Sequence, residues 1–173
     1  MLSGAHELDS GLTIRLRLAR PSDAAGVRDF LERQSVENRA RRFFTAMPRV
    51  SDATVRHFTH FDPRRTLIVA ATTLVAGVER VVALADVALL ATGLAEIGVI
   101  VDEEHQSEGV GRTVTEAVSW LAVQRGATHI KAEMLEHNLP MLRLMERIGP
   151  TVRTVEDGVA VAYTRLPALR TAA

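Results

Sequence analysis

Residues 12–18, LTIRLRL, alternate apolar and polar side chains, which predicts a half-buried first strand. Pro21-Ser22-Asp23 reads as a helix start, and Val27, Phe30 and Leu31 give that helix an i, i+3, i+4 apolar stripe. SVENRARRFF predicts a short, arginine-dense helix or connection, and Ser51 caps a further helix running to about Phe61. TLIVAATTLV and RVVALADVALL are two β runs around Gly77, hence a hairpin. LAEIGVIV is a strand, apolar on both faces except at Glu96. After Gly111, Val114, Ala117, Val118 and Leu121 fall on one face of a helix. THIKAEML predicts another strand, and LPMLRLMERIG a helix with Pro140 near its start and Gly149 at its end. Asp157-Gly158 joins two last strands. These elements make a mixed α/β (α+β) domain with mostly antiparallel neighbours.

Composition narrows the function. The 173 residues suit one domain, 1–173, large enough to bury a core. Lys plus Arg is 21 and Asp plus Glu is 21, so no net charge favours nucleic acid or a membrane surface. The basic residues are almost all arginine; Lys131 is the only lysine. There is no cysteine, which excludes a disulfide, a thiolate metal site and a cysteine nucleophile. The first ten residues lack a secretory pattern, and no apolar run approaches the roughly 18 residues of a membrane span. The expectation is a cytoplasmic protein. His57 and His60 have the i, i+3 spacing of a metal pair, but no third ligand stands at useful spacing, so no metal is expected.

The chemistry concentrates in residues 99–112. The run Val99-Ile100-Val101 breaks into a turn holding Gln106, Ser107, Glu108, Gly109, Val110 and Gly111, and a helix follows at once through Arg112. A helix N-terminus offers unpaired N–H groups and partial positive charge, and glycines let backbone approach a ligand. The arrangement suits an anion such as a pyrophosphate. A plain strand-to-helix turn is the other reading of the same residues. The turn is neither a Walker loop nor a complete three-glycine dinucleotide fingerprint.

Gln106-Ser107-Glu108-Gly109-Val110-Gly111 behind Val99-Ile100-Val101 resembles motif A of the GNAT superfamily of N-acetyltransferases, and Asn138 with 141–149 resembles its motif B. LARPSDAAGVRDFLERQSVENRARRFF, HFD at 60–62, AEIGVIV and NLPMLRLMERIG are similar to the bacterial protein lysine acetyltransferases that act on acyl-CoA synthetases. The resemblance covers roughly 12–150. It implies the GNAT fold, a mostly antiparallel sheet of six or seven strands with helices on both faces, and acetyl-CoA as donor. It places the donor between two splayed strands ending near Val101 and Met134. Val99 and Val101 would pair with pantetheine amides, the N–H groups of 107–112 would hold the pyrophosphate, and Asn138 and Arg147 would reach the cofactor. Asn138 is also a natural N-cap before Pro140. A protein lysine is the implied acceptor, with an acyl-CoA synthetase as partner. A small-amine or antibiotic acetyltransferase and a CoA-binding regulatory module are the alternatives, and a homodimer is compatible with each.

Glu96 lies in a run that otherwise reads as core. An unpaired buried carboxylate is costly, has a raised pKa and is a functional candidate. The resemblance makes it the general base; an ion pair with an arginine such as Arg42 is the alternative. Two features depart from the family. Ser107-Glu108 stands where Gly-Arg is usual, putting a carboxylate beside the pyrophosphate site unless Glu108 faces solvent or pairs with Arg112. Met145 stands where many members carry a tyrosine as general acid. Tyr163, the only tyrosine, is expected in the core or at the edge of the last strand, and His105 reads as a packing residue.

Overall fold

Eight strands form one sheet in the computed structural model, which describes residues 2, 4–45 and 47–168. The strands are β1 Ala5–Glu7, β2 Thr13–Leu18, β3 Thr66–Val75, β4 Val78–Ala91, β5 Leu94–Val101, β6 His129–Leu135, β7 Thr151–Glu156 and β8 Val159–Arg165. Their order is β1-β2-β3-β4-β5-β6-β8-β7, and only β5 and β6 run parallel. The helices are α1 Ala24–Arg33, α2 Val36–Phe43, α3 Asp52–Thr59, α4 Val110–Gln124 and α5 Leu139–Ile148. The expected GNAT architecture is present, with β1 as one strand more than foreseen. β1 is three residues long, too short to show a period.

The turns follow from local chemistry. Ala76 and Gly77 both take positive φ between β3 and β4, and Asp157 and Gly158 do so between β7 and β8, the backbone that two-residue hairpins require. Ser51 and Asn138 cap α3 and α5, accepting from the amides of Thr54 and Met141.

Two apolar layers cover the sheet. On one face Leu67, Val69, Ala71, Ala95, Ile97 and Ile130 pack under Val110, Val114, Ala117 and Val118 of α4 and under Met141 and Met145 of α5. On the other, Ile68, Ala70, Leu84 and Ile100 pack under Val27, Phe30 and Leu31 of α1 and Val55 and Phe58 of α3. β3 is therefore buried on both faces, which is why it reads as a continuous apolar run. The second layer reaches β5 only at Ile100. Among the described residues, no helix is long and apolar enough to cross a membrane.

Candidate active site

The central break in the sheet lies between β5 and β6. The two strands pair over only three residues, Leu94↔His129, Ala95↔Ile130 and Glu96↔Lys131, and then separate. β5 continues to Val101 with β4 alone, and β6 continues to Leu135 with β8 alone. A V-shaped opening results, with Glu96 and Lys131 on its last paired rung. A cleft of about 680 Å³ occupies the opening, a size that suits a small-molecule site.

Strand alternation decides what the open edge offers. The Asp102 amide donates to Val82 of β4, so Val101 and Val99 turn their N–H and C=O groups toward the cleft. The Val101 carbonyl is already engaged, accepting from Asn38 Nδ2 at 3.0 Å and Gln106 Nε2 at 3.4 Å. The Val101 carbonyl is thus committed to the chain itself, while the Val101 N–H and both backbone groups of Val99 face the cleft. Val99, Ile100 and Val101 all line the cleft.

The turn at the mouth folds as the glycine pattern requires. Ser107 and Gly109 take positive φ, and α4 begins at Val110 with Gly109 as its N-cap. Among the described residues, no acceptor pairs the amides of 107–112, whereas the Thr113 amide donates to Gly109. Gln106, Ser107, Glu108, Gly109, Gly111 and Arg112 line the cleft. Val110 does not; its side chain is fully buried, so its backbone amide is what it can present. Asn138, Arg143 and Arg147 line the opposite wall.

Glu108 does not take Arg112 as its partner, and its side chain is 35% exposed. Its carboxylate lies 2.8 Å from His105 Nδ1, while Arg112 pairs with Glu116. His105 is therefore a polar partner of the turn and not a packing residue. One further expectation changes. Tyr163 is exposed, on a strand flanked by β6 and β7, so it is neither core nor edge. Met145 is fully buried among the residues under α5. His57 packs edge-on against Phe58, and His60 Nδ1 lies 2.9 Å from Thr59 Oγ1; among the described residues no group of three or more His, Asp or Glu could hold a metal ion.

Glu96 is placed differently from the sequence expectation. It sits on the face that the α1–α3 layer leaves uncovered, and its side chain is 39% exposed. It is ion-paired, but to Lys131 Nζ at 3.0 Å; Arg42 instead pairs with Asp86. Lys131 also reaches Glu133 at 2.9 Å. The Glu133 carboxylate, opposed by partial burial and joined by Glu96, holds the Lys131 ammonium above its ordinary pKa. Glu96, Glu133, Asp86, Arg41, Arg42 and Gly98 line a smaller pocket that shares Val99, Asn138 and Met141 with the cleft.

One wall of both pockets comes from α2, which sequence reasoning left unassigned. Asn38, Arg41 and Arg42 stand at i, i+3 and i+4, one face of the helix, and that spacing was the available signal. Ser35 caps α2 through the Asn38 amide and is bonded to Glu103, tying the helix to the turn after β5.

The comparisons with known proteins agree with this geometry. A model described as the acetyltransferase (GNAT) family matches residues 27–149. The GNAT domain of S. lividans PAT is similar at 29% identity and a TM-score of 0.83, covering 94% of this chain and 96% of that one. The cAMP-binding acyltransferase from Mycobacterium smegmatis shares the fold at 23% identity and a TM-score of 0.65; the match covers 97% of this chain and 48% of that one. So does yncA from Salmonella typhimurium, solved with its cofactor acetyl-CoA, at 16% identity and a TM-score of 0.66, covering 92% of this chain and 98% of that one. No curated protein matches the chain in sequence.

Proposed function

We propose that this chain, which belongs to the acetyltransferase (GNAT) family and uses acetyl-CoA as its acetyl donor, transfers the acetyl group to a lysine side chain of a protein. The observation that carries the reading is the splay of β5 from β6. Unpaired helix amides stand at its mouth and a carboxylate at its apex. The pyrophosphate would lie on the 107–112 amides, Val99 would pair with the pantetheine arm, and Asn138 and Arg147 would line its path.

The small pocket suits a cationic acceptor. Arg42 neutralises Asp86, and Arg41 is paired with Glu37. Glu96 and Glu133 share the single cation Lys131, leaving one negative charge over for an incoming ammonium. Freeing a lysine amine at pH 7 costs about 4.6 kcal/mol. Glu96 would take that proton, and the amine would attack the thioester carbonyl. The leaving thiol, with a pKa of about 8.5, departs without a dedicated acid. This fits the burial of Met145.

The acceptor class is tested by comparing kcat/KM for lysine-bearing protein segments with that for small free amines. A higher value for the protein acceptors supports the reading. Turnover of small amines alone would assign the chain to the small-amine branch.

Two further outcomes are expected. Acetyl-CoA at about a hundred times its Kd should add about 2.7 kcal/mol of stability, seen as a raised melting temperature; no shift at saturating ligand contradicts binding in the cleft. Glu108→Gln removes a carboxylate from the cleft mouth and should tighten acetyl-CoA binding by about fivefold at low salt, the gain shrinking as salt rises. Unchanged affinity at low salt would place the bound phosphates away from this turn.

A further inference from the structure

We propose that Lys131 is a self-acetylation site: its own amine, held at the apex of the splay against Glu96, accepts the acetyl group of acetyl-CoA in cis. The proposal rests on the reading that Glu96 takes the proton of the acceptor amine. An amine served by that carboxylate stands within hydrogen-bond reach of it. Lys131 Nζ stands 3.0 Å from Glu96 Oε2, in such a position already. Glu96↔Lys131 is also the last paired rung before the strands part, and Glu96 lines the small pocket that shares Val99, Asn138 and Met141 with the donor cleft. The site is unambiguous, because the chain has no other lysine.

The step balances without a further reactant. The Lys131 ammonium gives one proton to Glu96, and the free amine attacks the thioester carbonyl. The Nζ–C bond forms, the C–S bond breaks, and a second proton leaves the nitrogen for the departing thiolate. The products are Nζ-acetyl-Lys131 and CoA thiol, with one proton released from Glu96 to solvent.

The surroundings set its speed. The groups facing Lys131 are Glu96 from β5, Glu133 from its own strand and Tyr163, opposite it on β8; Arg41 and Arg42 of α2 line the small pocket that Glu96 and Glu133 also line. The two carboxylates hold the amine protonated. Self-transfer is therefore slow, occurs once per chain and accelerates as pH rises. Acetylation removes the cation that Glu96 and Glu133 share.

The test is intact-mass and peptide-mapping mass spectrometry of the full chain incubated with acetyl-CoA, beside parallel turnover of an added lysine peptide. The expected result is one acetyl group on Lys131, with a rate constant independent of protein concentration. The rate should fall by roughly 10²-fold or more in Glu96→Gln, and the side-chain signal should vanish in Lys131→Arg. A Glu96→Gln chain that still binds acetyl-CoA keeps the comparison interpretable, and a denatured chain reports uncatalysed acetylation. An unmodified Lys131 while the peptide is acetylated overturns the proposal and leaves the proposed function standing. No acetylation of either, with acetyl-CoA bound, overturns both. Lys131 acetylation that is equal in the denatured chain, or second order in protein, overturns transfer in cis.

Discussion

Glu96→Gln is expected to lower turnover by roughly 10²–10⁴-fold near neutral pH and to leave acetyl-CoA binding intact. The amide matches the carboxylate in size and cannot take the proton. Glu96 does not line the large cleft, so the donor keeps its contacts there. Lys131 retains Glu133 as a partner, and Glu96 is partly exposed, so the fold should survive the change. The loss should shrink as pH rises toward the pKa of the acceptor amine, because free amine then forms without help. A pH–rate profile of mutant and parent, paired with a denaturant melt of each, checks this. Parental turnover in a stable mutant that binds acetyl-CoA would remove Glu96 from the mechanism.

Arg39→Ala is expected to destabilise the chain by about 3 kcal/mol or more and to weaken acetyl-CoA binding with it. Arg39 is buried, and its guanidinium donates to the carbonyls of Leu31, Gln34 and Met47 at 3.0, 2.6 and 2.8 Å. These bonds tie α2, through Arg39, to the end of α1 at Leu31 and Gln34 and to the loop after α2 at Met47. Truncation leaves buried carbonyls without a donor, each costing about 1–3 kcal/mol. The helix it anchors carries Asn38, Arg41 and Arg42 into the two pockets. Chemical denaturation measures the first effect and acetyl-CoA titration the second. A parental midpoint would show that water or neighbouring donors satisfy those carbonyls.

The local signals carried most of the fold. Caps, two-residue hairpins and the apolar stripes of α1 and α4 depend on residues near one another in sequence, and they stand where the pattern put them. The turn at 106–112 was equally legible, because glycines at fixed offsets before a helix specify backbone. What depended on distant chain was not. Glu96 looked buried because its neighbours are apolar. Burial of its face is set by α1 and α3, which reach β5 only at Ile100. Its partner could not be read either. Lys131 lies far along the chain and meets Glu96 through the parallel register of β5 with β6. Among the available arginines, Arg42 looked equally suitable until Asp86 claimed it. Glu108 had two nitrogen partners within one helical turn, His105 and Arg112. The choice of His105 follows from α4, whose Glu116 holds Arg112 four residues on.

The central claim is that an amine attacks acetyl-CoA in the cleft between β5 and β6. The most direct measurement is the stoichiometry of CoA thiol released to acetamide formed, with isotope-labelled acetyl-CoA, a lysine-bearing protein acceptor and the intact chain. The account predicts one labelled acetyl-lysine on the acceptor for each thiol released, beyond the single equivalent taken by Lys131. Saturable binding of acetyl-CoA with no label on any amine, or thiol release matched only by free acetate, would contradict it.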